Sequence, residues 1–146
     1  MTMPDYLLVV DDFEPNRRMV ASILRVLGHD TAEAEDGRAA IAAMADGRPS
    51  LVLLNIAMPG LSGWDVLSWM RRDPRCFDVP VVTMTGYDDP ATAANSWTLG
   101  CTFHLIKPFG YEMLSLVVNR VLGGIIEEPS DAPSSALGGV PGVERS

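Results

Sequence analysis

The chain has 146 residues, 47% of them apolar and 21% charged, which suits one domain with a sizeable core and excludes a disordered or fibrous chain. Its 11 basic and 19 acidic residues leave a formal charge of −8, the wrong sign for displacing counterions from nucleic-acid phosphates. The longest apolar runs are far too short to span a membrane and no leader pattern opens the N-terminus, so the expectation is a cytoplasmic protein that touches neither membrane nor nucleic acid.

Along the chain, short apolar runs alternate with segments of helical period. Tyr6–Val10 reads as a first strand. Pro15 can open a helix at its first position, with Met19, Val20, Ile23, Leu24 and Leu27 as the apolar stripe and Gly28 as the stop. A weaker strand at Thr31–Ala34 precedes a second helix, capped by Asp36, with Ile41 and Met44 inward and Gly47 at its end. The strand Leu51–Asn55 leads to a third helix from Ser62 to Met70, stopped by Asp73-Pro74. Val79–Met84, a fourth helix over Pro90–Leu99, Phe103–Ile106 and a fifth helix over Phe109–Leu122 complete the series. None of the strands alternates cleanly, as expected where both faces are covered.

Strand then helix, five times over, calls for an α/β fold with a doubly wound, five-stranded parallel sheet and right-handed crossovers. This domain spans residues 1–124. Residues 125–146, dominated by Pro, Ser, Gly and Ala, are expected to form a flexible tail, since they bury too little apolar surface to offset their ordering entropy. Cys76 and Cys101 stand alone, without metal-ligand or disulfide spacing, and read as reduced, buried thiols.

In such sheets ligands sit beyond the carboxyl ends of the strands. There the sequence places Asp11-Asp12, Asn55, Thr85 and Lys107-Pro108, and Lys107 is the only lysine among the 11 basic residues. Two carboxylates at about 4 Å repel by about 4 kcal/mol at an effective dielectric of about 20, so a cation is the natural complement. Hard oxygen ligands suit Mg²⁺, and a hydroxyl beside an ammonium suits a phosphoryl group. Asp11-Asp12 alone would also fit a capping pair before the first helix.

Taken together, Asp11-Asp12, the stretch Asn55-Ile-Ala-Met58-Pro59-Gly-Leu-Ser-Gly63, Thr85 and Lys107-Pro108 resemble the receiver domain of two-component response regulators. The resemblance covers residues 5–123 and implies the flavodoxin-like (βα)5 strand order 2-1-3-4-5. It implies that position 55 is the phosphoacceptor, charged by a histidine kinase or histidine phosphotransfer protein. It further implies Mg²⁺ held by Asp11, Asp12, residue 55 and the Ala57 carbonyl, with Thr85 and Lys107 on the phosphoryl group.

Position 55 departs from the family, which carries aspartate there. An amide oxygen is a poor nucleophile and cannot give the same acyl phosphate, and Mg²⁺ loses a charged ligand. Asp12, the Asn55 carbonyl, the Ala57 carbonyl and waters remain for the ion, with Asp11 acting through water. Two accounts stay open: a substitution made to hold a working receiver unphosphorylated, or a natural pseudo-receiver that signals by binding alone. A hydrolase built on Asp11 and Asp12 would want a larger pocket than these loops leave. A flavodoxin-type carrier would want a phosphate cradle after the first strand, and none is written there.

His104 holds the position where receivers usually carry an aromatic, so with Thr85 it is a candidate rotamer switch; a part-exposed strand histidine without a role is the plainer alternative. Trp97 is a candidate anchor on the face made by the fourth helix, fifth strand and fifth helix, where receivers dimerise or dock targets; core packing is the alternative. Phe13, Pro15, Met58 and Pro59 line the rim that meets the kinase or phosphotransfer helices. Arg17 is a candidate charged contact there, a solvated helix face the bland reading.

Overall fold

The computed structural model describes residues 5–86, 100–123 and 143–145. The predicted helix Pro90–Leu99, and Trp97 with it, lie outside the described residues. Five parallel strands form the body of the sheet: β1 (Leu7–Val10), β2 (Thr31–Ala34), β3 (Leu51–Asn55), β4 (Val81–Thr85) and β5 (Phe103–Ile106). The helices are α1 (Glu14–Val26), α2 (Gly37–Asp46), α3 (Gly63–Arg72) and α4 (Tyr111–Leu122). A short β6 (Val143–Arg145) pairs antiparallel with β5, so the full order is β2-β1-β3-β4-β5-β6. The five-stranded order 2-1-3-4-5 is as expected; β6, from the segment expected to stay unordered, is an addition.

Alternation along the strands explains why they read as unbroken apolar runs. Leu7, Val9, Leu51, Leu53, Val82, Met84, Phe103 and Leu105 face one way, onto Val20, Ala21 and Leu24 of α1 and Leu114, Val117, Val118 and Val121 of α4. Leu8, Val10, Val52, Leu54 and Val81 face the other way, onto Ala40 and Met44 of α2 and Val66, Leu67 and Met70 of α3. Each face has its own core, so neither parity along β1, β3 and β4 faces solvent.

Local signals set most helix ends. The Asp36 side chain accepts from the Ala39 N–H to cap α2. Ser62 and Asp65 form a reciprocal capping box at the start of α3. Two expectations shift. β4 begins at Val81, after Pro80, which has no N–H to give the ladder, and runs on through Thr85. On α1 the inward stripe runs through Arg17, Val20, Ala21 and Leu24, while Met19, expected inward, is 38% exposed.

The register brings the polar residues together. Val10 lies level with Leu54, Asn55 with Met84 and Thr85 with Ile106, so Asp11-Asp12, Asn55, Thr85 and Lys107 all sit at one edge of the sheet. Gly63 lets α3 start directly over that edge. A Cβ there would lie 2.5 Å from the Asn55 carbonyl oxygen and 2.7 Å from Ile56 Cα, and the Gly63 N–H instead donates to the Ile56 carbonyl at 2.9 Å.

Candidate functional site

Asp11 is fully buried at the end of β1 and heavily partnered. Its Oδ1 accepts from the Phe13 N–H at 2.9 Å, and its Oδ2 accepts from Asn16 Nδ2 and, at 3.3 Å, from Lys107 Nζ. These donors offset the cost of burying a carboxylate. Lys107, arriving from the far side of the sheet on the loop after β5, also donates to Asn55 Oδ1 at 2.9 Å. The Asn55 Nδ2 donates to Asp12 Oδ1 at 3.2 Å and to the Ala57 carbonyl at 3.0 Å. Asn55 is 4% exposed, whereas Asp12 and Ala57 lie at the open surface. Three chain segments, those that end β1, β3 and β5, thus converge through one amide, as the resemblance implied.

Thr85 lies at the same edge but turns its hydroxyl toward the fully buried His104. The imidazole is clamped between two threonines: Nδ1 lies 2.6 Å from Thr83 Oγ1 and Nε2 lies 2.9 Å from Thr85 Oγ1. Burial, which penalises the imidazolium, lowers the His104 pKa from 6.5 to about 4. At neutral pH the ring is therefore uncharged, one nitrogen donating and the other accepting. His104 is thus fully buried and not the part-exposed strand histidine of the plainer reading. Thr83 went unnoticed in the sequence, although a lone polar residue within Val81-Val82-Thr83-Met84, two positions before Thr85 and so on its face, was the available signal.

Two rim expectations need correction. Arg17 is not a free surface charge: its side chain is 11% exposed, Nη1 donates to the Asp11 carbonyl at 3.2 Å and Nε to Glu33 Oε1 at 3.1 Å. It turns inward because the end of β1 and the carboxylate on β2 both need a donor there, so it positions Asp11. Met58 is 8% exposed and belongs to the core under α2 and α3. Phe13, at 61% exposed, and the exposed Pro15 and Pro59 keep their places on the rim.

A family model described as the response regulator receiver domain matches residues 7–119. The chain belongs to the response regulator receiver family. Among its relatives, the regulatory protein AtoC of Escherichia coli is 36% identical over 122 residues, covering 84% of this chain and 26% of AtoC. The phosphate regulon transcriptional regulatory protein PhoB of Pseudomonas aeruginosa is 31% identical over 127 residues, covering 87% of this chain and 56% of PhoB. The chain therefore spans only part of the length of these curated relatives. In structure it is similar to the Vibrio cholerae chemotaxis protein CheY4, with TM-score 0.76 and 28% identity over 82% of this chain and 99% of that one.

Receiver domains generally bind Mg²⁺ and interact with histidine kinases and effector domains. In this receiver the donor set does not fit a resident divalent cation. The Asp12 carboxylate and the Ala57 carbonyl are crosslinked by the Asn55 N–H groups, the Asn55 oxygen is turned to Lys107, and both Asp11 oxygens already accept hydrogen bonds. Among the described residues there is no cluster of three or more His, Cys, Asp or Glu poised to hold a metal, and no helix is long and apolar enough to cross a membrane.

Proposed function

We propose that this chain is a response regulator receiver in two-component or phosphorelay signalling that is held in a non-phosphorylatable form and acts through protein contacts. The observation that carries this reading is the residue at the centre of the site. Position 55 sits where the phosphoacceptor of the family would stand, with Asp11, Asp12 and Lys107 around it, yet its side chain is an amide whose oxygen accepts from Lys107 at 2.9 Å. A carboxylate oxygen there would attack phosphorus and leave an acyl phosphate; a neutral amide oxygen is a much weaker nucleophile and leaves no such product. The chain is thus a binding module rather than an enzyme, and any affinity for Mg²⁺ is weaker than that of an aspartate-bearing receiver.

The exposed rim at Phe13, Pro15 and Pro59 is the surface offered to a histidine kinase or histidine phosphotransfer protein. A downstream protein target, or a second copy, would meet the side of the sheet beside β5 and α4. Phosphodonor chemistry tests the assignment. The protein and its Asn55→Asp variant are incubated with Mg²⁺ and acetyl phosphate, and intact mass is measured. The expected result is a base-labile phosphoryl adduct on the Asn55→Asp variant and none on the Asn55 protein. An adduct of that kind on the Asn55 protein would refute the reading. Failure of the variant to label would mean that the surrounding site, too, has lost phosphotransfer, the binding-only form of the same assignment.

A further inference from the structure

We infer that the Asn55 amide does internally what a divalent cation does in an open acidic site: it ties Asp12 to the Ala57 carbonyl and so makes the closed geometry of this edge independent of metal. The inference rests on the proposed function only in taking position 55 as the centre of the site.

The orientation of the amide is set by chemistry rather than by choice. Lys107 Nζ is a pure donor and needs an acceptor, while Asp12 Oδ1 and the Ala57 carbonyl oxygen are pure acceptors and need donors. Rotating the amide by half a turn would set NH₂ against the ammonium and C=O against two oxygens, turning three attractive contacts into three repulsive ones. Both Nδ2 hydrogens are consequently spent, one on each acceptor, at 3.2 and 3.0 Å.

Charge points the same way. Asp11 and Asp12 against Lys107 leave one net negative charge with Asn55 in place, where an aspartate would leave two. The remaining charge lies on Asp12, which is exposed to water and already receives one amide hydrogen. The buried part of the site is neutral, since Asp11 is paired with Lys107. A cation that took Asp12 Oδ1 and the Ala57 carbonyl oxygen on the side where they face Asn55 would have to break both Nδ2 bonds. To use the Asn55 oxygen it would also have to turn the amide and take from Lys107 one of its two acceptors. In this chain Asn55 is therefore a block to the ion, which is different from being a feeble ligand for it.

That difference is measurable with the full chain, MgCl₂ as the probe, isothermal titration calorimetry for affinity and Trp64 among the fluorophores. The protein as it stands should show no saturable response to Mg²⁺ and the same melting temperature in EDTA and in MgCl₂. Asn55→Asp should gain a saturable response. Asn55→Ala decides between block and ligand, because alanine removes a potential oxygen ligand and frees Asp12 and the Ala57 carbonyl together. It should bind Mg²⁺ more tightly than the Asn55 protein. Should Asn55→Ala bind more weakly than the Asn55 protein, Asn55 is a ligand and the inference is overturned. A side-chain ¹⁵N experiment adds a check that needs no variant: the Asn55 NH₂ resonances should be slowly exchanging and unmoved by MgCl₂, and a shift on titration would overturn the inference equally. None of these outcomes depends on phosphotransfer, so they can fail while the phosphodonor experiment succeeds, and the reverse.

Discussion

Acid should loosen this fold through His104, and the size of the effect follows from its surroundings. The imidazole is fully buried between Thr83 and Thr85 and its pKa falls from 6.5 to about 4. Between those values the unfolded chain binds a proton that the folded chain refuses, so stability is fully present above about pH 6.5 and is lost as pH falls toward about 4. At about 1.4 kcal/mol per pH unit the loss approaches about 3 kcal/mol, a large fraction of the stability of a small domain. Urea unfolding at several pH values would measure it, with His104→Phe as the reference. Every other ionisable group is common to the two proteins, so the informative quantity is the difference in slope. Phenylalanine leaves the two threonine hydroxyls without their ring partner and should lower stability at neutral pH, yet it removes the His104 contribution to the slope between about pH 6.5 and about pH 4. Equal pH dependence in the two proteins would refute the claim that a buried, neutral His104 governs this range.

Two further perturbations probe how the edge of the sheet is held. Gly63→Ala would drive a Cβ to 2.5 Å from the Asn55 carbonyl oxygen and should cost about 1–3 kcal/mol in urea unfolding, with backbone amide shifts concentrated at residues 55–57; an unchanged midpoint would show that α3 can back away freely. Arg71→Met removes a side chain that donates to the carbonyls of Gly100, Phe77 and Val79, at 2.7, 3.0 and 2.9 Å for the shortest contact to each; a loss of about 2 kcal/mol is expected, with faster hydrogen exchange around β4, and undiminished protection there would contradict it.

The architecture was legible because every strand but β2 is an apolar run and the helices between them carry local start or stop signals. Asp36 is a cap that the sequence states outright, Ser62, read as the first residue of its helix, is in fact the cap, and the unbroken burial along Leu51–Asn55 needed only the recognition that both faces are covered. The site was legible for a different reason: polar residues that end apolar strands have few other uses, and Asp11, Asp12, Asn55 and Lys107 do meet. What could not be read was direction. Nothing local says that Arg17 turns inward to Glu33 on β2, since that pair is 16 residues apart and depends on how α1 packs across the sheet. Nor does the sequence say which end of the Asn55 amide faces Lys107, which needs all three segments in place. Met58 read as rim because it follows the site in sequence, and it is core because the loop folds back under α3. Val143–Arg145 escaped notice since three residues can pair through backbone groups alone, with no periodic apolar pattern to announce them.

That last strand changes what the sheet presents to a neighbouring chain. Without it the outermost ladder on its side would be Phe103–Ile106, an apolar strand whose unpaired amides invite another molecule to add on and propagate. With Val143–Arg145 in place the boundary becomes a three-residue segment, too short to template much. A partner that approaches by strand addition must therefore first unzip a piece of the protein itself, which makes access to that border a competition rather than a vacancy.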